Sequence, residues 1–205
     1  MAKAGERKLQ ILQTLAEMLE APQAEKITTA ALAARLGVSE AALYRHFASK
    51  AQMYEGLIEF IETTLFGLIN RIGADEAAGA ESVLAMAKVL LAFAEKNRGM
   101  CRVLTGEVLV NENPRLQARV NQLLDRIEVS LKQAVRIAAG RGGLAADLDA
   151  GAAANLVLAW VQGRWQQFVK SGFARVPTEQ LVAQWGLLAR AFSASTPGSP
   201  GPSSA

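Results

Sequence analysis

The strongest constraint on this chain lies in residues 28–50, TTAALAARLGVSEAALYRHFASK, where helix starts and stops follow one another at very short intervals. Thr28 or Thr29 offers a hydroxyl to the orphan backbone N–H groups of a helix start. Ala30–Leu36 then reads as a short helix with Leu32 and Leu36 as its buried contacts. Gly37 supplies the left-handed conformation that ends it, and Ser39 caps the next. Ala42, Leu43, Tyr44 and Phe47 belong to a third short helix ending near Phe47. Ser49 caps a fourth, from Lys50 to about Ile72, with Met53, Leu57, Ile58, Ile61, Leu65, Leu68 and Ile72 at helical spacing. Two short helices joined by a tight glycine-containing turn form a helix-turn-helix, whose second helix enters the major groove of DNA.

The rest of the chain reads as helix. A first helix is expected from Glu6 to Leu19, with Leu9, Leu12, Leu15, Ala16 and Leu19 on one face and Ala21-Pro22 as its stop. Residues 73–79 (GADEAAG) make a linker-like break. Beyond it come a helix from Ala80 to about Glu95, a polar corner at residues 96–99 and an apolar stretch, Met100–Val110. A long helix is expected from Pro114 to about Ala139, then two more over Asp147–Ser171 and Thr178–Phe192, either side of a Gly172–Pro177 turn. The chain is rich in alanine and leucine, its β-branched runs are short, and it has only six prolines. An all-α fold follows.

Composition narrows the chemistry. A single cysteine, Cys101, excludes an intrachain disulfide and a cysteine-based zinc site, and a single histidine, His46, excludes a histidine-pair metal site. With no nucleotide-binding glycine loop and no metal-spaced carboxylates, the inventory weighs against an enzyme. No cofactor is expected. No signal peptide or apolar run of about 18 residues is seen, so a cytoplasmic protein with no membrane association is expected. The net charge of +3 mildly favours an anionic partner. Residues 1–72, however, hold eight Lys/Arg against eight Asp/Glu, so pattern and not bulk charge must locate the DNA-binding end.

On helix-turn-helix geometry, Ser39, Glu40, Ala41 and Ala42 face the base edges. Glu40 either accepts from a cytosine amino group or favours the helix dipole as an N-terminal acid. Phosphate contacts are expected from Thr28 or Thr29, Tyr44, Arg45 and Lys50. His46 either joins them or packs beside Phe47. Lys3, Arg7 and Lys8 form a basic arm or a solvated end. The tail, residues 193–205, has no apolar content to bury and is expected to be disordered.

The run ITTAALAARLGVSEAALYRHFASKAQMYEGLI resembles the DNA-binding module of TetR-type regulators, in which GVS-x-x-x-LYRHF-x-SK is highly specific. Further matches continue to about Phe192: LIEFIE, RVLTGE, RLQARVNQLLDRIE and FVKS-x-F, in order. They make the chain similar to one branch of that family, the nucleoid occlusion factors. The resemblance implies an N-terminal three-helix helix-turn-helix module, residues 1–50, with a connecting fourth helix over 50–72. It also implies a helical dimerisation and partner-binding domain over 51–192. Such proteins bind palindromic double-stranded DNA across the nucleoid, several dimers to a site, and antagonise polymers of the division protein FtsZ so that no septum forms over the chromosome.

The same resemblance implies that the last two helices form a four-helix bundle with their symmetry mates. Leu156, Trp160, Gly163, Trp165, Phe168, Leu181, Trp185 and Leu188 supply the apolar surface, shared between intrachain core and dimer contact. It also implies that an acidic, partly apolar tail of FtsZ docks between the fourth helix and the corner after the fifth, on Val89, Phe93, Lys96, Asn97, Arg98 and Arg102. Two positions depart from the better-known members: Leu68 stands where they carry a basic residue, and Lys96 where they carry arginine, which keeps charge but loses the bidentate fork. The competing reading is a ligand-responsive repressor, which needs a roomy pocket with convergent polar groups. The leucine- and alanine-filled inner faces argue weakly against one.

Overall fold

The computed structural model describes residues 4–21, 27–75 and 79–193, among which every regular element is helical. Helix α1 spans Ala4–Met18, α2 Thr29–Leu36 and α3 Glu40–Tyr44. Their short lengths are set by side-chain caps. Thr28 Oγ1 accepts from the Ala31 amide at 3.1 Å, and Ser39 Oγ from the Ala42 amide at 3.3 Å. Gly37 sits at φ +66°, from which Val38 N–H reaches back to Ala33 O at 3.0 Å. This closes the last turn of α2 and aims α3 across it. The small core beneath holds Ile11, Leu15, Ala16, Leu19, Leu32, Leu43 and Phe47. Leu9, expected in it, is exposed, because the stripe that faces α2 and α4 runs through Ile11, Leu15 and Leu19 at four-residue steps. The expected stop at Pro22, the N-terminal Lys3 and the tail beyond Ser193 lie outside the described residues.

Helix α4, Lys50–Ala74, starts at Ser49, whose hydroxyl accepts from Gln52 N–H at 3.2 Å while Gln52 Oε1 accepts from Ala48 N–H at 2.8 Å. It runs two residues past the expected end. Next come α5, Ala80–Lys96, α6, Arg98–Leu104, a single 3-10 turn, Glu107–Leu109, and α7, Pro114–Gly140. Helices α8, Ala150–Lys170, and α9, Leu181–Ser193, complete the order. Helix α7 begins with a proline in its first turn and Asn113 Oδ1 on Arg115 N–H at 3.0 Å. It packs most extensively on α8, with α4 and α5 closing the layer. Trp165 and Phe168 fill the centre, and Trp165 Nε1–H donates to Leu90 O at 3.2 Å.

The stretch read from sequence only as apolar contains α6. It is buried on nearly every side, so it carries no polar face by which a helical period can be recognised. Its position matters: a Cβ on Gly99 would lie 2.1 Å from Ala16 O, so α6 rests directly on the backbone of α1. Arg102 secures the same contact. Only 3% exposed, it donates from Nη1 to Leu19 O at 3.2 Å and to Ala21 O at 2.8 Å, with Glu107 Oε2 3.3 Å from its Nε. The guanidinium thus satisfies carbonyls that α1 leaves orphaned at its C-terminal end.

Candidate nucleic-acid interface and partner groove

The α2–α3 turn brings three candidate DNA ligands into one chain of hydrogen bonds. Tyr44 OH donates to Thr29 Oγ1 at 3.4 Å, and Thr29 Oγ1 donates to Glu40 Oε2 at 2.6 Å. Glu40 therefore orients both hydroxyls while sitting in the first turn of α3. Thr28, Ser39, Glu40, Ala41, Tyr44 and Arg45 are exposed on this end of the module, and Thr29 and His46 are half-buried. Tyr44 keeps 46% of its surface open although it is aromatic.

Lys50 lies differently from the sequence expectation of a free cation. Its Nζ pairs with Glu112 Oε1, from the segment between the 3-10 turn and α7, and stands 5.6 Å from the centroid of the Tyr54 ring. Burial first, and then the Glu112 carboxylate, hold the Tyr54 phenol well above its ordinary pKa. Nothing in the local sequence around Lys50 announces a partner sixty-two positions away.

On the other side of α4 a groove of about 370 Å³ runs between α4 and α5. Phe60, Thr64 and Leu68 line one wall, four residues apart on α4; Val89, Ala92, Phe93, Lys96 and Asn97 line the other. Phe60 is 40% exposed. Phe60 and Thr64 were missed from sequence, and the signal for them was a second apolar stripe on α4 offset from the buried one. Lys96 and Arg98 are exposed and Val89 and Asn97 half-buried, but Phe93 is largely covered. Arg102 is a correction: counted as a surface cation, it is turned inward against α1 and is no part of the groove. Beside it burial, then the Glu107 carboxylate, push the Cys101 thiol up to about 12, with Arg102 opposing.

The α8–α9 surface also sorts itself. Trp165, Phe168 and Leu181, expected at the dimer face, are buried within the chain and have no surface to give a partner. Leu156, Trp160, Gly163, Trp185 and Leu188 keep accessible surface on the outer side. Val182, 84% exposed, and Leu187, 60% exposed, are further apolar residues of α9 open to solvent. Trp160 Nε1–H donates to Gln184 Oε1 of α9 at 2.8 Å, and Arg164 donates to the carbonyls of Val176, Pro177 and Glu179, which ties the turn leading into α9 to α8. Two adjoining helices with unpartnered apolar residues suit an isologous contact.

Residues 11–57 match the family model described as bacterial regulatory proteins, tetR family, and residues 81–193 match a SlmA-like, tetracyclin repressor-like C-terminal domain. The fold agrees. A fatty acid degradation regulator, FadR, from Bacillus halodurans superposes with a TM-score of 0.74 at 16% identity, covering 92% of this chain and 97% of that one. FadR from Bacillus subtilis, solved with stearoyl-CoA, gives 0.71 at 16% identity over 88% and 97%. A capped two-helix reading head on an all-helical body thus defines a DNA-binding, dimeric regulator of the TetR class. Sequence relatives narrow the class. The nucleoid occlusion factor SlmA of Alteromonas mediterranea is 47% identical over 190 residues, 93% of this chain and 97% of the relative. That of Idiomarina loihiensis is 50% identical over 182 residues, 89% and 93%. The chain belongs to the SlmA family of nucleoid occlusion factors.

Proposed function

We propose that this protein is a nucleoid-bound inhibitor of septum assembly: it binds palindromic DNA as a dimer through Thr28, Thr29, Tyr44, Arg45 and Lys50, and captures the C-terminal tail of FtsZ in the α4–α5 groove. Residues 1–50 serve as the reading head, α4 connects it, and residues 51–192 carry dimer and partner surfaces. The observation that supports the reading best is the groove itself. It is an apolar trough with Lys96 on its wall, suited to a short peptide with apolar anchors and an acidic flank. Among the described residues no helix is long and apolar enough to cross a membrane, and no His/Cys/Asp/Glu cluster suits a metal.

The test is fluorescence anisotropy of a labelled FtsZ tail peptide titrated with the full chain, with and without a DNA duplex. Saturable binding that is lost in Phe60→Glu and weakened in Lys96→Glu, both still folded, supports the reading. No binding at high micromolar protein with DNA binding intact overturns it. The ligand-responsive repressor reading rests on a second cleft of about 420 Å³, at the far end of α4, with Asn70, Ser82 and Gln133 among its apolar walls. It gains if the peptide fails to bind and Met86→Trp, which fills that cleft, alters DNA release in cells.

A further inference from the structure

We propose that Glu112 holds the DNA affinity of this protein below its maximum by standing in for a DNA phosphate at Lys50. The inference rests on Lys50 being a phosphate ligand. Lys50 is the first residue of α4, six residues after Tyr44 in sequence, and the proposed function counts its ammonium among the phosphate ligands. The ammonium is committed elsewhere in the DNA-free protein, where it is paired with Glu112.

The pair is built into the fold. The side chains of Lys50 and Glu112 are only 20% and 15% exposed, so solvent screens their attraction less than it screens a surface pair. Glu112 is held from both sides: its amide donates to Leu109 O at 3.0 Å, and Asn113 next to it caps α7. The segment carrying it is a strap. At one end Glu107 contacts Arg102, which grips the end of α1; at the other Glu112 grips the start of α4. No other acidic side chain hydrogen-bonds Lys50 among the contacts described.

A lysine ammonium is a compact charge with three donors, and a carboxylate offers it what a phosphate offers: an anionic oxygen at hydrogen-bond distance. DNA must therefore displace Glu112 or share the cation with it. Displacement strands a mostly buried carboxylate without its cation, and sharing leaves Lys50 with little net charge for the phosphate. Each route weakens binding once per protomer, hence twice per dimer. Because the contact is to the backbone, the loss falls on all sequences alike. Glu112 thus sets how long the protein stays on DNA and leaves its choice of sequence untouched.

The experiment is a double-mutant cycle on the full chain, with Glu112→Gln, Lys50→Met and the double variant, each checked for an unchanged far-ultraviolet spectrum and dimer mass. The probe is a fluorescein-labelled mixed-sequence duplex of about 20 base pairs, long enough for two major grooves one helical turn apart. Lys50→Met is expected to weaken binding, and Glu112→Gln to tighten it roughly threefold to thirtyfold at low salt, from two partly buried pairs per dimer. In the Lys50→Met background Glu112→Gln is expected to change nothing. Equal tightening in both backgrounds would mean that Glu112 acts only through net charge, and would overturn the proposal. So would weaker binding by Glu112→Gln, which would make Glu112 a support that positions Lys50. Full-strength binding by Lys50→Met would remove the phosphate-ligand reading on which the inference rests.

Discussion

Arg102→Met separates a structural guanidinium from a partner-binding one. In the fold Arg102 is 3% exposed and its Nη1 bonds two α1-end carbonyls, Leu19 O and Ala21 O. Its Cζ also lies 5.0 Å from the Phe173 ring centroid. Methionine keeps most of the aliphatic volume but leaves both carbonyls without that donor. Hydrogen bonds to a charged donor contribute about 1.5–3 kcal/mol each. The Glu107 partner is 39% exposed and returns to water at little cost. Two such bonds sum to about 3–6 kcal/mol, and the cost is set at about 3–5 kcal/mol, the range for removing one member of a buried charge pair. For a chain of this size that is a fall in melting temperature of roughly 6–20 °C. Thermal melts by circular dichroism measure it. Lys96→Glu and Arg98→Glu, on exposed cations of the same corner, should melt within about 2 °C of the parent. If Arg102→Met melts with the parent and instead loses the FtsZ tail peptide, the assignment of Arg102 to the α1–α6 joint is wrong.

Gly99→Ala is expected to cost about 1–3 kcal/mol, because its Cβ meets the Ala16 carbonyl and backbone must move; an unchanged melt would show that α6 does not rest on α1 as described. Val182→Glu with Leu187→Glu should halve the mass seen by light scattering and abolish operator binding, since two half-sites need two reading heads. A dimer that survives would place the interface elsewhere. Asp149 caps α8 through Gly151 N–H at 2.7 Å and Ala152 N–H at 3.1 Å, and these bonds hold its carboxyl below the ordinary 3.8. A depressed pKa gives stability that is complete above the ordinary value and is lost as pH falls through the folded one. Asp149→Ala should therefore lower the melting temperature at neutral pH, with a deficit that shrinks as pH falls below the ordinary carboxylate range. A deficit that stays constant with pH would mean that the cap is not ionic.

Local chemistry explains why the reading head was legible from sequence. Thr28, Gly37, Ser39 and Ser49 each dictate a helix boundary through one or two hydrogen bonds within four residues, and all four do so in the structure. What sequence hid is long-range. Arg102 looks like any cation near a helix end until the carbonyls it serves, some eighty positions earlier, are brought beside it. Trp165 and Trp160 sit five apart on α8, and periodicity cannot tell that the first faces the chain's own core while the second faces outward. Lys50 and Glu112 meet only because α6 and the 3-10 turn carry the start of α7 back to the start of α4. The groove was half legible: Val89, Phe93, Lys96 and Asn97 were expected there and Leu68 was singled out on the fourth helix, whereas Phe60 and Thr64 were not, because attention falls on the stripe Met53, Leu57, Ile61 and Leu65, which is buried.

That buried stripe bears on how DNA and partner communicate. Met53, Leu57, Ile58, Ile61, Leu65 and Ile69 are all at most 2% exposed, so α4 is gripped along its length by the core. Its outer stripe, Phe60 to Leu68, begins about 15 Å along the axis from Lys50 at 1.5 Å per residue. With α4 so held and α6 seated on α1, the groove is formed before DNA arrives. A ligand shifts an equilibrium only by its differential affinity for two states. DNA therefore has little to gain by remodelling a groove already formed, and under the proposed function a single FtsZ tail peptide is expected to bind with similar affinity whether or not a duplex is present. What DNA adds is number and spacing. Dimers held along one duplex present their grooves at high effective concentration, and a polymer carrying many tails gains avidity that one peptide does not. Under the proposed function, the gain from DNA then belongs to the assembled array, and under the Glu112 proposal the grip on phosphate tunes how tightly that array is held.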